Sequence, residues 1–256
     1  MSLNQTAKEK LIGALDVDTA DRARTVVAEL RERVGMFKIG LQLFTAAGPD
    51  LVRELTSSGL RIFLDLKFHD IPQTVANAGT ECARLGVVMF NVHAAGGSEM
   101  MRRTVSAVKE TAAREGLPET KVIAVTVLTS LDQAALSATG VYTAPAEQVL
   151  RMSRFAQDAG LHGVVASPLE AVAIRETAGS SLLIVTPGVR PRATSHDDQA
   201  RVMTPAEAIQ VGADYLVVGR PILNASDPAA AADAIVAEIE TALDESKDHS
   251  IAGTGA

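Results

Sequence analysis

The sequence contains no tryptophan, a single cysteine and few aromatic residues, which make up 3% of its 256 residues. With Cys82 alone an internal disulfide is impossible, and a reducing cytoplasm is the compartment that this cysteine usage favours. No apolar run approaches the length of a membrane-spanning helix, and the N-terminus lacks the charged-then-apolar layout of a signal peptide. These absences predict a cytoplasmic globular protein with no membrane partner.

A net positive charge is also missing. The formal net charge is −7, and a nucleic-acid surface requires clustered basic residues with aromatic rings for base stacking. The composition therefore excludes nucleic acid as an expected partner and leaves small-molecule chemistry open.

Short apolar runs alternate with longer amphipathic stretches along the chain, which implies parallel strands joined by helical crossovers. The runs that predict strands are 11–15, 36–39, 61–66, 87–92, 122–128, 163–166, 182–186 and 215–218. The stretches that predict helices are roughly 19–33, 48–58, 72–85, 98–115, 145–159, 168–178, 204–211 and 228–244. Eight strand–helix units favour a closed (β/α)₈ TIM barrel, an α/β fold. We expect a single domain over residues 1–245, with 246–256 as a disordered tail. An open doubly wound sheet is the alternative.

The most informative stretch is DLKFHDIPQT at residues 65–74. Alternation along a strand places Asp65 and Lys67 on one face, where buried charges are unfavourable unless they are paired or used. Asp70 follows where the chain leaves the sheet, and Pro72 suits the first turn of a helix. The segment is therefore interpreted as a strand, a charged rim and a helix start, the usual place for chemistry in a barrel enzyme.

Two loops near the C-terminal end of the barrel favour an anionic ligand. Loops after strands seven and eight of such barrels often bind phosphate, and Gly219 with Arg220 offers close backbone approach and a bidentate guanidinium. The long polar stretch 187–205 contains Arg190 and Gln199 and is typical of a loop that closes over a ligand.

The decamer at 65–74 closely resembles the signature of orotidine 5′-monophosphate decarboxylases of bacterial type. Further blocks that resemble this family follow in the family's order and span residues 11 to about 225. They are LD at 15–16, FKIG at 37–40, NVHAAGG at 91–97, VTVLTS at 125–130, TPGVR at 186–190 and VVGRPI at 217–222.

The resemblance implies decarboxylation of orotidine 5′-monophosphate at C6 to give UMP, the last step of de novo pyrimidine nucleotide synthesis, without metal or cofactor. It implies that Lys67 protonates C6 and that Asp65 lies near the departing carboxylate, with Asp65 and Asp70 keeping Lys67 charged. Lys38 would join this charge network and hydrogen-bond the ribose.

The resemblance also implies a set of residues that contact substrate. Asp16 would hold a ribose hydroxyl, and Thr129 would contact the pyrimidine. The phosphate would bind Arg190, Gln199, Gly219 and Arg220, and Pro187 is a further substrate-binding residue. Asp70, Ile71 and Thr74 would reach across an interface into the partner's site, which implies a homodimer with shared active sites.

Three other interpretations stay open at this point. Asp65 and Lys67 could form a structural ion pair only. A Mg²⁺-dependent relative of the same barrel superfamily, of the 3-keto-gulonate 6-phosphate decarboxylase or hexulose-phosphate synthase type, shares the Asp-x-Lys-x-x-Asp strand, although a lysine at position 38 repels a divalent cation. A barrel that binds nucleotide phosphates without catalysis is the third.

Overall fold

The computed structural model describes residues 6–191 and 203–252, with side chains described to residue 245. All strands pair in parallel with their sequence neighbours, and β8 pairs with β1, so that they form a closed barrel. The strands are Leu11–Ala14 (β1), Met36–Gly40 (β2), Ile62–Phe68 (β3), Met89–His93 (β4), Lys121–Val125 (β5), Gly163–Val165 (β6), Leu183–Pro187 (β7) and Tyr215–Val218 (β8). The prediction of a single-domain (β/α)₈ barrel is confirmed, and the open doubly wound sheet is excluded.

Helices pack around the barrel and connect successive strands. They are Ala7–Lys10 (α1), Ala20–Leu30 (α2), Leu41–Ser57 (α3), Pro72–Arg84 (α4), Gly97–Glu115 (α5), Gln133–Ala138 (α6), Pro145–Asp158 (α7), Ala171–Ala178 (α8), Pro205–Gln210 (α9), Arg220–Leu223 (α10) and Pro228–Ala252 (α11). Within the described part of the chain, none of these helices combines the length and the apolar character needed to cross a bilayer.

One layer of apolar side chains fills the barrel interior. Its members come from seven of the strands, are at most 2% exposed, and are Ile12, Met36, Phe63, Met89, Ile123, Val185 and Tyr215. The residues between them on each strand face outward and pack against the helices in the larger core cluster. This layer closes the interior below the C-terminal mouth, so any site must lie above it.

Some elements differ from the predictions, each for a local reason. Helix α3 begins at Leu41 rather than at 48, because a further helical segment precedes the predicted one and joins it through a kink at Gly48, whose backbone (φ 67°, ψ −171°) is not helical. Strand β3 continues past residue 66 to Phe68, which pairs with Val92 after a shift in register. The short helices α1 and α6 have cap hydrogen bonds but too few residues for an amphipathic period.

The last helix continues to residue 252, beyond the predicted domain boundary at 245. Residues 253–256 of the predicted tail lie outside the described residues, as does 192–202 in the predicted closing loop. The extent of the domain and the disorder of the tail stay predictions.

Candidate active site

Three polar side chains stand directly above the apolar layer of the barrel. Each lies two positions after a member of that layer on its own strand, and side chains two positions apart share a face. They are Lys38 on β2, Asp65 on β3 and Asn91 on β4. The alternation of side chains that buries the apolar layer therefore also directs a cation, an anion and an amide into the barrel mouth.

Asp65 is the centre of a charge network in that mouth. Its Oδ1 accepts a hydrogen bond from Lys67 Nζ at 2.6 Å, and its Oδ2 lies 3.3 Å from Lys38 Nζ. Lys38 Nζ also lies 3.1 Å from Asp16 Oδ1. The charges therefore alternate from Asp16 through Lys38 and Asp65 to Lys67.

Burial and charge act in opposite directions on Asp65. Its side chain is 13% exposed, and burial alone would raise the pKa of the carboxyl. The positive charges of Lys38 and Lys67, helped by hydrogen bonds from Lys67 and Asn91, outweigh burial and hold the pKa of Asp65 below its ordinary value. Asp65 is therefore an anion at neutral pH, fixed between two cations.

The backbone at Lys67 is unusual. Its φ of 51° is the only positive value at a non-glycine residue in the described part of the chain. Leu64 pairs with Phe90 and Phe68 with Val92, so residues 65–67 bulge out of the β3–β4 ladder. A left-handed conformation costs a side-chain-bearing residue roughly 1–2 kcal/mol, and such strain concentrates at functional sites.

The network opens into a cavity of about 320 Å³ at the C-terminal mouth of the barrel. One wall is apolar and is formed by Phe63, Val125, Val127, Val165, Val185 and Val217. The polar lining includes Asp16, Lys38, Asp65, Lys67, Thr129, Arg190 and Arg220, and Pro187 also lines the cavity. A ligand here would meet both an apolar surface and charged groups.

Gly219 lines this cavity next to Arg220. A Cβ at this position would lie 2.7 Å from Asp16 Oδ2, so no larger residue fits without displacing that carboxylate. Arg220 and Arg190 line the same cavity, and neither guanidinium forms an ion pair with a carboxylate among the described residues. Two cations that have no carboxylate partner in the described part of the chain favour an anionic ligand.

The structure therefore brings together most of the site residues predicted from the sequence. Three others do not line this chain's own cavity: Asp70, Ile71 and Thr74 are exposed where β3 leads into α4. Asp70 Oδ1 accepts a hydrogen bond from the backbone N–H of Ile71 at 2.6 Å, and Ile71 is 66% exposed. Gln199 lies outside the described residues.

The sequence places Asn91 at the polar rim of the barrel but assigns it no role, and it does not identify the apolar wall. Asn91 hydrogen-bonds both Asp65 and Lys67. The available signal was a lone amide inside an apolar strand, on the face shared with Met89. The sequence pattern does not distinguish the apolar wall from the ordinary core, because a valine that faces a cavity and a valine that packs against a helix occupy the same kind of position in an apolar run.

Comparison with known proteins decides the family. Residues 9–235 match the family described as "Orotidine 5'-phosphate decarboxylase / HUMPS family". The chain belongs to this family.

Individual relatives agree with that assignment. The orotidine 5′-phosphate decarboxylase of Moorella thermoacetica is 55% identical, over 91% of this chain and 93% of the relative. That of Geobacter sulfurreducens is 53% identical, over 91% of this chain and 97% of the relative. The crystal structure of the Lactobacillus acidophilus enzyme superposes with a TM-score of 0.80 at 38% identity, covering 90% of this chain and 98% of that one.

Proposed function

We propose that this chain decarboxylates orotidine 5′-monophosphate to UMP. The observation that carries the proposal is the alternating network of Asp16, Lys38, Asp65 and Lys67 beside an apolar wall and two arginines that form no ion pair among the described residues. A nucleotide with a charged phosphate, a polar ribose and a flat base matches those three surfaces. The family and the relatives of more than 50% identity support the same reaction.

The reaction breaks the bond between C6 and its carboxylate. The electron pair stays on C6 as CO₂ leaves, and the Lys67 ammonium then donates a proton to form the C6–H bond of UMP. The same ammonium stabilises the developing charge at C6 before the proton moves. Asp65, 2.6 Å from Lys67 Nζ, aims that ammonium and lies next to the departing carboxylate.

The remaining polar residues position the nucleotide. Lys38 and Asp16 hold the ribose hydroxyls, and Thr129 contacts the pyrimidine. The phosphate binds Arg190, Arg220 and the Gly219 backbone, with Pro187 and Gln199 as further substrate contacts. Binding energy from the phosphate, remote from C6, then contributes to turnover by fixing the base against Lys67.

The active form is a homodimer with two shared sites. Asp70, Ile71 and Thr74 are exposed on this chain and absent from its own cavity lining, and Ile71 presents a large apolar side chain at the rim. Placed in the partner's site, Asp70 would add a second anion near Lys67. The enzyme works in the cytoplasm, in keeping with its one cysteine, a buried free thiol.

The Mg²⁺-dependent sugar-phosphate enzymes of the same superfamily are a weaker candidate. Lys38 Nζ lies between oxygens of Asp16 and Asp65, and its charge repels a divalent cation from the position between the two carboxylates.

The test is the loss of absorbance of orotidine 5′-monophosphate over time with purified protein in excess EDTA. The absence of tryptophan keeps the protein's own absorbance low. Steady loss of the substrate band with UMP as product is the expected result. Turnover of a sugar phosphate only after Mg²⁺ is added, with none of the nucleotide, would assign the chain to the metal-dependent relatives instead.

A further inference from the structure

Asn91 is a fully buried amide in the middle of β4, facing the charged residues of β3. It is 1% exposed, and both polar atoms of its side chain are used. Nδ2 donates to Asp65 Oδ1 at 2.7 Å, and Oδ1 accepts a hydrogen bond from the backbone N–H of Lys67 at 2.7 Å. One side chain thus joins the carboxylate of Asp65 to the backbone of Lys67.

The bulge in β3 explains why an amide acceptor is needed at this place. Residues 65–67 of β3 face a single residue of β4, so the regular ladder of backbone hydrogen bonds is interrupted there. An N–H group left without an acceptor in the interior is unfavourable. The Asn91 carbonyl supplies the acceptor at Lys67, the residue with the left-handed backbone.

The donor half of the same amide fixes the Asp65 carboxylate. Oδ1 of Asp65 receives Lys67 Nζ at 2.6 Å and Asn91 Nδ2 at 2.7 Å, while Oδ2 faces Lys38 Nζ at 3.3 Å. A carboxylate held at both oxygens cannot rotate without breaking one of these contacts. Among them, the bond from Asn91 is the one made by a neutral group, and it comes from a rigid barrel strand.

We infer that Asn91 is a positioning residue for decarboxylation, which sets the orientation of Asp65 and the backbone of Lys67 together. The inference rests on the proposed function, because its effect is on the delivery of the Lys67 proton to C6. The competing explanation is a purely structural role. Thr120 exemplifies that role: it is buried, and its hydroxyl donates to the Val87 carbonyl at 2.9 Å, just before β5 at the opposite end of the barrel.

Asn91→Asp separates the two explanations. It keeps the size of the side chain and an acceptor for the Lys67 N–H, but it replaces the Nδ2 donor by an oxygen that faces Asp65. We expect kcat for orotidine 5′-monophosphate to fall about 100-fold, since small errors of placement are costly in catalysis. KM should change by less than about threefold, because Asn91 does not line the cavity.

A second readout is the pH profile of kcat. The added carboxylate disfavours the charged form of Asp65, so the acid limb should move to higher pH in Asn91→Asp. Thr120→Val is the matched control, because it also removes a buried hydrogen bond. It should lower the melting temperature while leaving kcat and the pH profile at their wild-type values.

The outcomes distinguish this inference from the proposed function. No turnover by the wild type would refute the function itself. Turnover by the wild type, with a folded Asn91→Asp whose kcat and pH profile are unchanged, would refute the positioning role alone. If Asn91→Asp does not fold, Asn91→Ser, which removes both contacts without adding charge, decides: a loss in kcat at constant KM supports the role, and a wild-type kcat overturns it.

Discussion

Lys67 and Asp65 lie two positions apart on β3 and are joined by a hydrogen bond of 2.6 Å between Nζ and Oδ1. The contact spans a bulge in which Lys67 adopts a left-handed backbone. An ion pair alone does not require this conformation, which is unfavourable for any residue with a Cβ. The local geometry therefore favours a catalytic role for Lys67 over a stabilising one. The two roles can be tested separately, by turnover and by the free energy of unfolding.

The first prediction compares Lys67→Ala with Lys67→Gly. Both variants lose the ammonium, so both should lose turnover of orotidine 5′-monophosphate. Glycine adopts a φ of 51° without the steric cost that a Cβ imposes on alanine, so the glycine variant should be the more stable of the two by about 1 kcal/mol. The free energy of unfolding is measured by urea denaturation.

The control for this comparison is Lys121, a lysine in β5 with an ordinary backbone. There glycine should be less stable than alanine, as is usual in strands. The same order of stability at positions 67 and 121 would show that the left-handed backbone at Lys67 is not a source of strain. Near-normal turnover in either Lys67 variant would remove the proton-donor role.

The second prediction concerns acid stability and follows from the lowered pKa of Asp65. A carboxyl whose pKa is lower in the folded than in the unfolded chain stabilises the fold at pH values above its pKa in the unfolded chain, which is about 3.9. This stabilisation is lost as the pH falls through the pKa of the folded chain. Asp65→Asn cannot lose a stabilisation that it lacks, so its free energy of unfolding should fall less steeply than that of the wild type as the pH drops below about 5.

Urea denaturation at a series of pH values gives both slopes. Asp18→Asn, which alters an exposed carboxylate beyond the same end of the barrel, is the control and should keep the wild-type slope. Equal acid slopes for the wild type and Asp65→Asn would mean that Lys38 and Lys67 do not stabilise the Asp65 carboxylate in the folded state.

The third prediction tests the anion end of the cavity. Arg220→Ala should raise KM for orotidine 5′-monophosphate about 10- to 100-fold, because hydrogen bonds between charged groups contribute about 1.5–3 kcal/mol each. The melting temperature should change little, since the guanidinium has no carboxylate partner among the described residues. Arg102→Ala removes an exposed arginine paired with Glu99 on α5 and should leave KM unchanged. A wild-type KM in Arg220→Ala would exclude Arg220 from the phosphate site.

Much of the barrel could be predicted from the sequence because apolar strands and amphipathic helices alternate regularly along the chain. Apolar runs with alternating faces gave the strands, and the residues after them gave the polar rim; Lys38 and Asp65 lie on strands that were identified within a few residues. Parallel strands place their C-terminal ends at one mouth, so residues far apart in sequence had to converge there.

The parts that sequence reasoning missed depend on contacts between strands. The role of Asn91 follows from the bulge opposite it, and a bulge is a property of two paired strands that neither strand reveals alone. Helix α6 has too few residues for a period and depends on the Asp132 cap. The proposed homodimer likewise depends on contacts between chains, which the structure of one chain does not contain.

Mixing two inactive variants should restore activity if each site uses residues of both chains. Asp70→Ala leaves Lys67 intact, and Lys67→Ala leaves Asp70 intact, so a mixed dimer holds one complete site and one with both changes. With random exchange, half of the dimers are mixed and each has one complete site, so activity should recover to about a quarter of the wild-type value. Turnover is measured after subunit exchange has been verified with differently tagged chains.

The matched control mixes Lys67→Ala with Asp65→Asn. Both changes affect residues that line the same chain's cavity, so each site of a mixed dimer still carries one defect and no recovery is expected. Recovery in the control would show that activity arises by some route other than complementation at shared sites. Failure of the Asp70→Ala mixture to recover, with exchange confirmed, would place Asp70 in its own chain's site or outside the site altogether. The exposed position of Asp70, away from the cavity of its own chain, favours recovery.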